Sequence, residues 1–251
     1  MTRKDKQGIG ILAGVVTIFL SLFVAVYWLK ASSDQYDHDK LCRNDGDYPR
    51  LNVLIDKTDP WNKQDQQRLA ALIRRIKEQL ATNERLSIFV LDETGTYSPT
   101  PVFDMCNPGR GNQANNLYQN PRMVQQRFDE QFQAPLETAL AKLLQPGVAP
   151  QSPILESIIA LKGSNKQPER MIVVSDMLQN SENLSFYRRD SRSLVKQENN
   201  QVCQIPSLYE SIEVHVVNRP TVAGASRQQV RNFWQGCLRR LAEQDPAWQG
   251  L

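Results

Sequence analysis

Two aspartates in this chain close apolar runs. Asp56 follows Leu51, Asn52, Val53, Leu54 and Ile55, and Asp176 follows Met171, Ile172, Val173, Val174 and Ser175. Runs this apolar are read as buried, and a carboxylate at the edge of a buried run needs partners. Thr58 stands two residues after Asp56, and Ser152 opens the stretch Ser152, Pro153, Ile154, Leu155. Two carboxylates and two hydroxyls are hard oxygen donors of the kind that suits Mg²⁺ or Mn²⁺, and Mg²⁺ usually keeps several waters and takes only one or two protein carboxylates. Each hydroxyl also has a purely structural reading. Ser152 before Pro153 is the pattern of an N-cap with proline at the first helical position, and Thr58 with Asp59 suits a cap or an Asx-turn before Pro60.

Other chemistries find little support. His215 lies between Val214 and Val216 and is one of only two histidines, so it reads as a sheet histidine satisfied by its neighbours rather than as a ligand. The four cysteines form no C-x-x-C pair, which argues against zinc. The chain has no Gly-x-Ser-x-Gly elbow, no Walker loop and no Gly-x-Gly-x-x-Gly fingerprint. With no nucleophile and base pair to name, the expectation is a protein that is not an enzyme. A formal net charge of +3 with scattered basic residues gives no footprint for nucleic acid, and the cluster Arg188, Arg189, Arg192 and Lys196 reads as a solvated loop.

The elements that would position these residues alternate in type. Leu51 to Ile55 reads as a buried strand. Asn62 or Asp59 can cap a following helix that carries Leu69, Leu72, Ile73, Ile76 and Leu80 on one face. Leu86 to Leu91 is a second strand and Pro101 to Met105 a short third one; Cys106 to Arg122 reads as loop. Val124, Phe128, Phe132, Leu136, Leu140 and Leu143 have helical spacing, with a kink expected at Pro135. Ile154 to Leu161 is a short helix, Met171 to Val174 a strand, and Gln179 to Ile205 a polar surface excursion. Ile212 to Val217 is a strand, and Val230, Phe233, Trp234, Cys237, Leu238 and Leu241 mark a last amphipathic helix. The sum is an α/β fold, a doubly wound and mostly parallel sheet with helices on both faces. Ligands in such sheets gather beyond the carboxyl ends of the strands, where Asp56 and Asp176 stand.

The N-terminus reads differently. Ile9 to Leu29 carries no charge, and a hydrocarbon core of about 30 Å needs about 20 helical residues. Tyr27, Trp28 and Lys30 look like an interfacial anchor rather than a cleavage site. Arg3, Lys4 and Lys6 precede the span and Asp34, Asp37, Asp39, Asp45 and Asp47 follow it, which keeps the N-terminus cytoplasmic. The expected plan is residues 1–7 cytoplasmic, 8–30 a single transmembrane helix, 31–49 a stalk and 50–251 one domain in the periplasm. Gly10, Gly14, Thr17 and Ser21 place small side chains on one face of the span, where helices could pack and the chain could oligomerise. Cys42, Cys106, Cys203 and Cys237 all follow the span, in a compartment where disulfides persist. The residues alone leave all three pairings open.

From about Leu51 to Leu241 the chain resembles a von Willebrand factor type A domain, a doubly wound sheet with a metal-ion-dependent adhesion site. The family's Asp-x-Ser-x-Ser motif is resembled by Asp56, Lys57, Thr58, Asp59 and Pro60. Its helix-initiating Thr is resembled by Ser152 before Pro153, and its Asp after the fourth strand by Asp176. Pro60 replaces the second serine and removes one ligand. Taken with the N-terminal span, the resemblance implies a membrane-anchored protein-binding module of a bacterial envelope complex, with Asp56, Thr58, Ser152 and Asp176 forming a degenerate site for Mg²⁺ or Mn²⁺. It also implies an antiparallel third strand, which would put Cys106 beside the stalk and pair Cys42 with Cys106 and Cys203 with Cys237. Two alternatives stand beside it. One is a metal-dependent hydrolase resembling haloacid-dehalogenase phosphatases, although Thr58 holds the position of that family's acid/base aspartate; the other is a structural subunit that associates through its transmembrane helix.

Overall fold

Val53, Leu54 and Ile55 are fully buried because β1 (Arg50–Asp56) lies inside a sheet covered on both faces. The computed structural model describes residues 14–28, 37, 39–44, 46, 48–91, 100–115, 119–145, 147, 149–162, 167–187, 203, 207–218 and 226–251. β1 pairs in parallel with β2 (Arg85–Leu91) on one side and β4 (Glu169–Ser175) on the other. β3 (Phe103–Cys106) runs antiparallel to β2, and β5 (Ser211–Val216) and β6 (Ala247–Gly250) continue the sheet in parallel beyond β4. The order is β3-β2-β1-β4-β5-β6. Strand order reverses between β1 and β4, so this is the switch point at which an open α/β sheet forms its crevice.

Alternation along the strands divides the core into two layers. Val53 and Ile55 face α1 (Lys63–Gln79), the aromatic pair Phe128 and Phe132 that follows the short α2 (Pro121–Arg127), and α3 (Ala134–Leu143), while Leu54 faces α4 (Ile154–Ala160) and α5 (Arg227–Leu241). α1 starts where the sequence provides a capping box: the Asn62 side chain accepts from the Asp65 amide and the Asp65 carboxylate accepts from the Asn62 amide. α5 is capped in the same way by Ser226 and Gln229.

Four features differ from the sequence reading. The helix expected to kink at Pro135 instead passes through a π-helical turn, Phe128–Gln133, between α2 and α3. The wider turn absorbs the backbone that proline cannot hydrogen-bond and seats Phe128 and Phe132 in the core. β6 was unexpected, since four residues with one large apolar side chain give no alternation to read. The first part of the expected surface excursion is inside, with Gln179, Leu184 and Phe186 buried; its remaining residues lie outside those described apart from residue 203. The fourth difference is the stalk. Over its described residues from 37 onward it packs on the β3 edge, where Cys42 and Tyr48 are buried against Cys106.

That edge is tied three ways. Cys42 is disulfide-bonded to Cys106 and the Cys106 amide donates to the Lys40 carbonyl at 2.8 Å. Asp104 accepts from Arg85 Nε at 2.6 Å and Ser87 Oγ at 2.7 Å, and lies 3.2 Å from Lys40 Nζ. Cys203 is bonded to Cys237 of α5, so both pairings are those the resemblance implied. Covering the β3 edge removes a template for pairing with other chains.

At the other end of the chain's order, residues 14–28 form a helix whose side chains are exposed, among them Phe19, Phe23, Tyr27 and Trp28. Among the described residues no helix is long and apolar enough to cross a membrane. The flanks of the expected span, including Gly10, lie outside those residues.

Two outcomes follow for stability. Replacing Cys42 and Cys106 together by serine opens a loop with a sequence separation of 64 residues, and is expected to lower unfolding free energy by about 2–4 kcal/mol in urea titrations. Asp104 loses solvation on burial, which raises its pKa, but hydrogen bonds from Arg85 and Ser87 and the Arg85 charge bring it from 3.8 to about 2. A depressed carboxylate stabilises fully above its unfolded value and loses that contribution as pH falls through its folded value. Asp104→Asn should therefore be less stable than the parent at pH 7 by about 1–2 kcal/mol, with the gap closing between pH 3.8 and 2.

Candidate functional site

Asp56 ends β1 at the switch point, and its carboxylate is the centre of a buried hydroxyl cluster. Oδ1 accepts from the Thr58 amide at 3.1 Å and the Thr58 hydroxyl at 2.7 Å. Oδ2 accepts from the Ser152 and Ser175 hydroxyls, each at 2.8 Å. A carboxylate offers about four lone-pair sites, so these four donors fill it. Asp56, Thr58, Ser152 and Ser175 are all buried. One charged group thereby joins the β1 turn, the entry to α4 and the end of β4.

The local sequence explains each placement. Thr58 closes an Asx-turn on Asp56, and Trp61 Nε1 donates to the Asp56 carbonyl at 3.1 Å, which holds the turn against the strand end. Ser152 is not the N-cap of α4. The cap position is Pro153, with no side-chain cap bond, and the Leu155 amide is satisfied instead by Gln179 Oε1 at 3.0 Å. The backbone of Ser152 exchanges hydrogen bonds with Asn180 at 2.8 and 2.9 Å, which leaves its hydroxyl free to turn to Asp56. The capping pattern is thus present in sequence, but a buried carboxylate claims the hydroxyl.

Ser175 belongs to the cluster and sequence reasoning gave it no site role. The signal was available: it is the one hydroxyl closing an otherwise apolar strand, directly before Asp176. Its oxygen donates to Asp56 and accepts from the Met177 amide at 2.8 Å. Met177 takes a left-handed conformation, φ 64°, which is uncommon for a residue other than glycine. Trp234 Nε1 donates to its carbonyl at 2.8 Å and holds it there. Backbone strain of this kind persists where surrounding structure fixes it, and here it makes the turn that places Asp176 outside the hydroxyl cluster.

Asp176 Oδ1 accepts from the Leu178 amide at 2.9 Å. With Asp56, Asp59, Trp61 and Val217 it lines a shallow cleft over the strand ends. Tyr187 faces the same carboxylates: burial and the charges of Asp176, Asp59 and Asp56 push its hydroxyl up to about 12. Three of the four proposed site residues therefore converge directly, and Asp176 borders them on the cleft. His215 is a buried sheet residue with Nε2 2.8 Å from Glu213 Oε1, away from the cleft. Gly14, Thr17 and Ser21 lie on the exposed helix of residues 14–28.

For a cation the donor set is a partial fit. Asp56 is committed to internal donors, Pro60 offers no side-chain ligand, and among the described residues no three His, Cys, Asp or Glu side chains group closely enough to hold a metal ion. What remains is the lone pairs of the Thr58 and Ser152 hydroxyls, with Asp176 and water.

No protein-family model matches the chain, and no curated protein does. Among solved structures, an aerotolerance-related membrane protein from Bacteroides fragilis with multiple mutations to serines is similar at 10% identity and a TM-score of 0.36, over 80% of this chain and 90% of that one. The conserved hypothetical protein BatB from Bacteroides thetaiotaomicron is similar at 10% identity and a TM-score of 0.40, over the same shares. With TM-scores this low, neither likeness bears on function.

If Asp56 is held as described, Ser152→Ala and Ser175→Ala should each cost about 1.5–3 kcal/mol, the range for hydrogen bonds to a charged group. Urea unfolding checks this, and Thr138→Ala, whose hydroxyl bonds only to the exposed backbone carbonyl of Ala134, should cost far less.

Proposed function

We propose that this chain is a membrane-anchored protein-binding module of the von Willebrand factor A type, whose docking face is the cleft bordered by Asp56, Asp59, Trp61 and Asp176. The observation that supports it is the clustering of Asp56, Thr58, Ser152 and Ser175 at the switch point, beside an open cleft that carries further carboxylates. The cluster makes three loops rigid, and rigid loops at strand ends are where such sheets bind. Mg²⁺ or Mn²⁺ would be held by Thr58, Ser152, Asp176 and water, supplying an open position for a partner's carboxylate. With Asp56 saturated and Pro60 in place of a hydroxyl, that affinity is weak, about millimolar. The same saturation leaves Asp56 a poor nucleophile and disfavours the hydrolase reading.

The helix of residues 14–28 supports the anchor. Its large apolar side chains are 46–75% exposed on all sides, and a helix apolar all round requires lipid or protein around it. In this reading residues 8–30 cross the inner membrane with the basic N-terminus in the cytoplasm, and the sheet lies in the periplasm. β1 enters from residues 37–49 and carries Asp56 about 20 Å away at its far end, so the docking face is turned away from the point of chain entry.

The test uses the full chain in detergent. Calorimetric titration with Mg²⁺ and with Mn²⁺ should show weak binding that Thr58→Ala and Asp176→Asn abolish, and crosslinked partner recovery from membranes should fall several-fold on Asp59→Lys with Asp176→Lys. Unchanged metal binding and unchanged partner recovery in these folded variants would remove the assignment.

A further inference from the structure

The two faces of the sheet are not covered alike. Over β5 and β6, α5 packs against one face, where Trp248 joins the buried cluster of Val214, Phe233 and Trp234 and lies under Arg231. On the opposite face the register sets Ala247 beside Glu213 and Gln249 beside His215, and Ala247 and Gln249 are exposed. The flank of α1 borders this face, and among the described residues no strand pairs with β6 on its outer side.

Between that flank and the sheet lies a groove of about 330 Å³. Leu72, Ala71 and Leu251 supply apolar surface, and Arg68 and Arg75, two turns apart on α1, rim it. Glu213 is an acidic group nearby: a hydrogen bond from His215, whose Nε2 lies 2.8 Å away, and the charges of Arg75 and Arg170 hold its carboxyl below the ordinary range against the opposing effect of burial, so two guanidinium groups outnumber one carboxylate here. Arg68 donates from Nη1 to the main-chain oxygen of Leu251 at 2.6 Å. One of the five guanidinium donors thus already meets a main-chain oxygen where β6 ends, beside the groove.

We propose that this groove is a second docking site, for a partner polypeptide segment that presents carboxylates next to an apolar anchor. Charge complementarity selects the occupant: two guanidinium groups on the rim of an apolar floor favour carboxylate contact beside a leucine-like side chain. The proposal stands apart from the acidic cleft, whose carboxylates would take a cation.

A random dodecapeptide display library selected on the full chain in detergent tests it. Selected sequences should place Asp or Glu beside Leu, Ile or Phe. Their affinity, measured by fluorescence anisotropy on synthetic copies, should fall at least tenfold on Arg68→Glu with Arg75→Glu and on Ala71→Trp, which fills the groove without altering charge. Asp176→Asn, which alters the cleft and not the groove, should leave it unchanged, so failure here is separable from failure of the cleft assignment. Circular dichroism confirms that each variant is folded. No selected sequence, basic selected sequences, or acidic ones indifferent to both groove variants would overturn the proposal. So would a dimer of the chain that Ala71→Trp dissolves, because the occupant would then be a second copy.

Discussion

A buried carboxylate with four donors sets the terms for this structure. Leaving Asp56 unpaired at the end of an apolar strand would cost several kcal/mol, and the chain avoids that by bringing three hydroxyls and an amide to it from positions up to 119 residues apart. Those contacts do more than solvate a charge. They fix the turn after β1, the entry of α4 and the end of β4 relative to one another, and these are the segments on either side of the switch point.

The opposite end of the sheet is held by different means. There the Cys42–Cys106 disulfide and the Arg85–Asp104 ion pair fasten the incoming chain to the β3 edge, while Cys203–Cys237 fastens a second segment to α5. Neither clamp touches the cleft. Covalent and ionic ties thus lie near the start of β1, and a hydroxyl-lined carboxylate lies at its far end. A sheet of this kind transmits position well because its central strands are buried on both faces.

Much of the fold was legible in the sequence, and particular residues show why. Elements end or begin at residues whose chemistry marks a boundary, as with Asp56 after Ile55 or Asn62 before α1, and the amphipathic spacing of α1 and α5 leaves little choice of face. What could not be read depends on tertiary competition. Ser152 before Pro153 looks like a cap until Asp56, 96 residues away, claims its hydroxyl. Gln179 looks like the start of a polar loop until its amide is needed by Leu155 and Glu156. Ser175 closes an apolar run directly before Asp176, but only the fold shows that its hydroxyl turns to Asp56, 119 residues away. β6 is too short for any period, and Pro135 gave the place of an irregularity without its form.

The central claim is that one carboxylate couples three loops into a single rigid face. Amide hydrogen exchange on Asp56→Asn tests it most directly, since the amide group is isosteric but presents a donor where hydroxyl protons now point. The account predicts that protection falls together at Thr58, Ser152 and Met177, while the amides of β2 and β5 keep theirs. Loss confined to Thr58, with Ser152 and Met177 exchanging as in the parent protein, would contradict it.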